Sequence, residues 1–234
     1  FRDLTSINNK SLGLELTTLA RKTLHKTKQK LVDRIQKYVI FVVLTEELNM
    51  PNWCNNNITI RAPKKKIDNI IKATKKGELL NHFLPMPKEL DGTTANGTED
   101  KAMIKKTGYS DWYSWRVDNW GTKWDIDVYE HSISRVDDET VQFGFDSAWS
   151  PPIDAYKAVQ DKHEDISITA YYYEPGMDFA GEYADGVISE VNVSEEKDTY
   201  FEDTALGKEL DAYYGILESR AEWEAQRNAE VHSA

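Results

Sequence analysis

Apolar residues in this chain repeat with two different periods, and the order in which those periods alternate constrains the fold more than any other property. Asn57-Ile-Thr-Ile-Arg-Ala62 alternates apolar and polar, the pattern of a half-buried strand, and Pro63 ends it. Ile67, Ile70, Ile71 and Thr74 then recur at i, i+3, i+4 and i+7 among lysines, which predicts a helix with one core face and one solvated basic face, closed by Gly77. Three further strands are expected at Ile126–Val136, at Thr140–Ser147 with Val141, Phe143 and Phe145 on one face, and at Ile166–Tyr173 with Ile166, Ile168, Ala170 and Tyr172 on one face. Asp137-Asp138 joins the first two as a hairpin. Between the last two, Ser150-Pro-Pro-Ile-Asp-Ala-Tyr-Lys-Ala-Val-Gln160 reads as a second helix, with Ser150 as cap, prolines in the first turn, and Ile153, Tyr156 and Val159 facing inward.

Strand, helix, strand, strand, helix, strand predicts an α+β fold, a ferredoxin-like βαββαβ antiparallel sheet with helices on one face. The continuous apolar strands of a doubly wound parallel sheet are absent. Around this frame, residues 81–110 carry Pro and Gly at the density of an insertion loop. The aromatic run Trp112-Tyr-Ser-Trp-Arg-Val-Asp-Asn-Trp120 reads as a short helix ended by Gly121. Phe179–Tyr183 and Val187–Val193 can add a hairpin. Residues 195–234 read as an acidic C-terminal helical extension, with Leu206, Leu210, Tyr213 or Tyr214, Leu217 and Ala221 on one side. That helix either packs on the second sheet face or binds a partner.

The charge is unevenly distributed. Of 29 Lys and Arg and 40 Asp and Glu, residues 1–49 hold nine and five, so the remainder of the chain carries 20 against 35, a net −15. An excess of that sign argues against nucleic-acid binding, which needs Lys and Arg to neutralise phosphates. The apolar run Tyr38–Leu44 is far shorter than the ~20 residues of a membrane helix, and the long basic stretch 21–37 does not suit a signal peptide. Glu46-Glu47, two codons before Met50, implies a purine run like a bacterial ribosome-binding site. The expectation is that translation starts at Met50 and that residues 1–49 are upstream sequence read in frame. The alternative is a genuine helical extension, for which Leu12, Leu16, Leu19 and Leu24 are loosely spaced.

Met50-Pro-Asn-Trp-Cys-Asn-Asn56, Phe83-Leu-Pro-Met-Pro87, Asn119-Trp-Gly-Thr-Lys-Trp-Asp125, Ala148-Trp-Ser-Pro-Pro152 and Tyr173-Glu-Pro-Gly176 together resemble the YubB-type ferredoxin-like domain proteins of phages and conjugative plasmids. The resemblance covers roughly residues 50–185. It implies a domain over 50–194 that begins at Met50, a location in the cytoplasm of a bacterial host, and no defined biochemical role, so it assigns no catalytic residue. "Ferredoxin-like" is topological here: the lone Cys54 can form neither an iron–sulfur cluster nor an internal disulfide, and no cofactor is expected.

The candidate binding site is a set of loops bearing Trp53, Asn55 and Asn56, the turn Trp120, Thr122, Lys123 and Trp124, the pair Trp149 and Ser150, and Glu174. Indoles stack on planar ligands, while the amides, hydroxyls and Lys123 supply directed contacts, one of them to a phosphate. The competing reading is that these residues only brace the insertion against the sheet. Asp125 and Asp127, two apart on one strand face, can hold Mg²⁺ with Asp146, although an acidic strand face is more commonly just solvated. His82, His131 and His163 lack ligand spacing, no phosphate loop or nucleophile elbow is present, and Cys54 reads as a buried structural thiol. The expected function is therefore a non-enzymatic accessory protein that binds a host protein. The alternatives are a binder or sequestering protein for a nucleotide-like small molecule, and a metal-assisted enzyme.

Overall fold

The structure is a computed structural model and describes residues 51–95, 97, 99–128 and 132–233. The extension expected over residues 1–49, the start at Met50, His131, and residues 129–131 of the expected second strand lie outside the described residues.

Strand β1 (Trp53–Arg61) forms the axis of a six-stranded sheet with order β2-β3-β1-β4-β5-β6, every neighbouring pair antiparallel. Its partners are β3 (Thr140–Ala148) and β4 (Ser167–Glu174), with Ile58 opposite Phe143 and Ala170, and Ile60 opposite Val141 and Ile168. All six side chains face one side and are buried, as the period-2 pattern requires. Each buried isoleucine contributes about 1.5–3 kcal/mol relative to exposure. The order 2-3-1-4 is the ferredoxin-like arrangement, and β5 (Phe179–Ala184) and β6 (Val187–Asn192) extend it beyond β4 as the expected hairpin.

Helix α1 (Lys64–Thr74) follows Pro63 and buries Ile67, Ile70, Ala73 and Thr74, while Lys64 and Lys66 pair with Asp138 and Asp165. Within 81–110 the chain is more regular than its composition suggests. Helix α2 (Leu79–Phe83) buries Leu79, Leu80 and Phe83, and α3 (Lys101–Thr107) is capped by the Asp100 carboxylate and closed by Gly108. Helix α4 (Trp112–Trp120) is capped by Asp111 and ended by Gly121 in the left-handed region. Helix α5 (Ile153–Lys162) buries Tyr156 and Val159 but starts after Pro152 without a side-chain cap, so Ser150 does not hold the role expected of it.

Among the described residues of the strand expected at Ile126–Val136, Ser134–Arg135 form β2, which pairs with β3 at Val141 and Gln142. Ile126 and Val128 are buried, yet their segment makes no described ladder with β3. Both side chains belong to the main core.

The second sheet face is partly covered. The segment read as one C-terminal helix is divided at Thr204, which caps the next turn, and at Gly215, whose φ of 60° only glycine adopts freely, into α6 (Asp198–Asp203), α7 (Ala205–Tyr214) and α8 (Ile216–Ser233). Helix α7 lies over β4 and β5, and Ala180, Val193, Phe201, Leu210 and Ile216 form a second core. Tyr213 stacks on Tyr171 with centroids 5.2 Å apart, and the Tyr214 hydroxyl donates to the Tyr171 carbonyl at 2.7 Å. Arg220 fastens α8: its guanidinium covers the Phe201 ring, donates to Asp198 at 2.6 Å, and bonds the carbonyls of Val193 and Glu196. Residues 221–230 beyond it are exposed. Among the described residues, no helix is long and apolar enough to cross a membrane.

Candidate functional site: an indole cleft beside β3

Strand β1 begins at Trp53, so Trp53, Asn55 and Asn56 lie in the sheet rather than in the loop expected from their sequence. Asn and Cys are weak strand formers, but pairing on both sides overrides that preference. Alternation then sends Cys54 and Asn56 inward, and Trp53 and Asn55 outward. Asn56 donates to the Cys54 carbonyl and to Ser147 Oγ, both at 2.8 Å, and is a core group. Cys54 is fully buried, and burial pushes its thiol well above the ordinary range, so it is no nucleophile.

Gly121 turns the chain out of α4, and the residues after it are fixed by two hydroxyls. Thr122 Oγ1 donates to the Ala148 carbonyl at 2.9 Å, and Ser150 donates to the Gly121 carbonyl. Trp120 is buried in the core, with its indole N–H donating to the Leu84 carbonyl at 2.8 Å. Glu174 is also buried, and its two oxygens accept the backbone N–H groups of Gly176 and Met177 in its own turn. Five of the ten expected binding residues, Asn56, Trp120, Thr122, Ser150 and Glu174, therefore hold the scaffold together.

The others converge. The ammonium of Lys123 lies 4.1 Å from the centroid of the Trp124 ring and 5.4 Å from that of Trp149. Trp53 meets Trp124 at 6.0 Å, and Tyr113 meets Trp149 edge-on at 6.4 Å. Trp149 is held at φ 65°, a conformation costly for a bulky side chain, with its N–H donating to the Asn52 carbonyl at 2.8 Å. Lys123 is thus committed to indole faces, and Trp53, 43% exposed, presents the outer end of the row.

Beside Trp53 and Trp124 lies an open cleft of about 390 Å³ between the 124–127 segment and the outer stretch of β3, lined also by Asp125, Asp127, Gly144, Asp146 and Ala148. Asp125 does not face a shared cation site. Its Oδ1 accepts the N–H groups of Leu80 and Ile126 at 2.8 and 2.9 Å, and its Oδ2 that of Asn81 at 2.9 Å, so it caps α2 from a distance. Burial raises its carboxyl above the usual range against the pull of those bonds and of Arg116. Asp146 accepts from Asn55 at 2.8 Å, and Asp127 is exposed. Among the described residues, no three His, Cys, Asp or Glu side chains group closely enough to hold a metal.

Sequence reasoning did not single out Gly144 of β3, which lines the cleft. The signal was available, since a glycine inside Val-Gln-Phe-Gly-Phe marks a close approach. A Cβ there would come within 3.2 Å of Asn57 Oδ1.

The fold is a ferredoxin-like α+β domain with a surface cleft beside β3. Residues 123–216 match the family model described as the ferredoxin-like domain in Api92-like protein, a span that runs from the Lys123 turn through α7 to Ile216. The solved structure of protein api92 from Yersinia pseudotuberculosis is similar to this chain at 11% identity, covering 61% of this chain and 98% of that one with a TM-score of 0.37. No curated relative matches the chain.

Proposed function

We propose that this chain is a non-enzymatic binding protein, an accessory factor of a phage or plasmid that engages a host protein through the Trp53–Trp124 cleft. The observation that supports it is the division of labour in the Trp-rich motifs. The groups an enzyme would use are tied to backbone, whereas Trp53 and Trp124 face an open, uncommitted cleft. Host cytoplasm is the matching location for such a factor. A nucleotide-like ligand suits the cleft less well, because Asp125, Asp127 and Asp146 line it and the neighbouring lysine is already stacked between indoles.

The test is affinity capture from bacterial lysate by the wild-type chain and by Trp53→Ala, with thermal melts of both. Capture of a defined protein by the wild type that is lost in an equally stable Trp53→Ala supports the reading. Indistinguishable capture profiles count against it.

A further inference from the structure

A second cleft lies where the first two helices adjoin. Asn69 and Lys72 of α1, and Lys76 of the turn after it, are spaced i, i+3 and i+7 and share one face. Glu78, Asn81 and His82, spaced i, i+3 and i+4 along the start of α2, share another. The two polar faces line one open cleft of about 360 Å³, a volume inside the about 300–1,000 Å³ usual for small-molecule sites. It has no lining residue in common with the indole cleft.

The lining is one-sided in its chemistry. Lys64 and Lys66, at the other end of α1, pair with Asp138 and Asp165, but Lys72 and Lys76 have no carboxylate partner among the described residues. Asn81 is held as a donor. Its Oδ1 accepts the Met86 N–H at 3.0 Å and its own backbone N–H is taken by Asp125, which leaves the side-chain NH₂ without a partner among the described residues. The Asn69 amide and the His82 ring nitrogens carry no hydrogen bond among the described residues either. Against these donors the lining sets a single carboxylate, Glu78, although the chain from residue 50 onward carries a net −15.

The helix dipole favours a cation in the last turn of α1, which accounts for Lys72 alone. It does not account for the unpaired amide and imidazole that α2 brings to the same cleft. Two ammoniums match a dianion, and donors on both walls match several acceptor oxygens. A phosphoryl group at neutral pH supplies about −1.5 to −2 charge and three acceptor oxygens, whereas a carboxylate supplies one charge and two oxygens. We infer that this cleft binds a dianionic phosphoryl group, free or as the monoester of a small molecule, with Lys72 and Lys76 neutralising its charge and the Asn81 amide donating to one of its oxygens. Lysine serves phosphate as a point charge, so the amide supplies the direction that the ammoniums lack. This site goes beyond the protein-binding function proposed above and does not depend on it.

The experiment is amide NMR on the full chain titrated with inorganic phosphate, with glycerol phosphate and with acetate at matched ionic strength. Both phosphates are expected to shift the Asn69 and Asn81 side-chain amide signals, and acetate to leave them in place. A tighter response to glycerol phosphate identifies the ester as the ligand, and an equal one the free ion; either supports the site. Lys72→Gln combined with Lys76→Gln should weaken the response roughly tenfold. Lys65→Gln combined with Lys101→Gln removes the same charge outside the cleft and should leave it unchanged. No shift with either phosphate, an equal shift with acetate, or equal weakening by the two double variants overturns the inference.

Discussion

Replacing Asp125 by alanine tests whether this carboxylate is a structural cap rather than a site residue. Its two oxygens satisfy three backbone N–H groups, at Leu80, Asn81 and Ile126, and two of these open a helix whose Leu79, Leu80 and Phe83 are all buried. Losing a helix cap costs about 0.5–2 kcal/mol, and leaving a buried donor unpaired about 1–3 kcal/mol. These overlap, because the donors are the same groups, so about 2–3 kcal/mol is expected for Asp125→Ala and about half of that for Asp125→Asn, which keeps one acceptor oxygen. Urea unfolding followed by tryptophan fluorescence should show the alanine midpoint falling by about 1–1.5 M for a slope near 2 kcal/mol/M, with the slope unchanged. The pH dependence has a definite sign. Burial raises the folded pKa of Asp125, so between its unfolded value, about 4, and the raised one the native state binds more protons, and its stability contribution declines as pH rises through the folded pKa. The gap between wild type and Asp125→Ala should therefore be widest at the acid end. An alanine variant within about 0.5 kcal/mol of wild type, a change small enough for an ordinary surface position, would refute the capping argument.

Three other outcomes are expected. In Gly181→Ala the new Cβ would lie 2.5 Å from the Ser189 carbonyl oxygen of β6 and 2.6 Å from the Tyr172 hydroxyl oxygen, with the Tyr172 ring fully buried, so a destabilisation of about 1–3 kcal/mol should appear in thermal or urea melts; a neutral variant would show that both β6 and Tyr172 can give way. Cys54 should resist iodoacetamide in the native protein and react only at the rate of unfolding, with rapid native labelling contradicting its burial. Lys64 and Lys66 hold the Asp138 and Asp165 carboxyls below their usual range, so these pairs should add stability above about pH 4 that is lost as pH falls through the depressed values; the effect should fade in high salt, and an unchanged acid limb at 1 M NaCl would argue against it.

The frame of this fold was legible because it depends on local periodicity. Ile58 and Ile60, Val141, Phe143 and Phe145, and Ile168, Ala170 and Tyr172 alternate as the sheet demands, and Ile67, Ile70 and Thr74 fall on one helical face. The errors lie where two environments produce the same pattern. Ile126 and Val128 alternate as a strand would and are buried in the main core, while the described β2 ladder begins only at Ser134. Gly215 divides the C-terminal helix, though the apolar spacing across it is continuous. In the site, residue type marked the right neighbourhood but not the roles. Thr122 and Ser150 could equally contact a ligand or a carbonyl, and only the chain path shows that both hold the Gly121 turn. Trp120 and Trp124 are four residues apart, one in the core and the other at the cleft, because Gly121 reverses the direction between them.

The anchorage of α8 has a mechanical corollary. From Ile216 to Ser233 the helix is a rod of about 27 Å, and its exposed stretch begins just past the Arg220 guanidinium. Arg220 takes part of any pull on residues 221–230, and its bonds to Val193 and Glu196 carry that part to the turn that terminates β6. Load carried by Arg220 is thereby passed to β6 at one margin of the sheet, which three strands separate from β3 and the indole cleft.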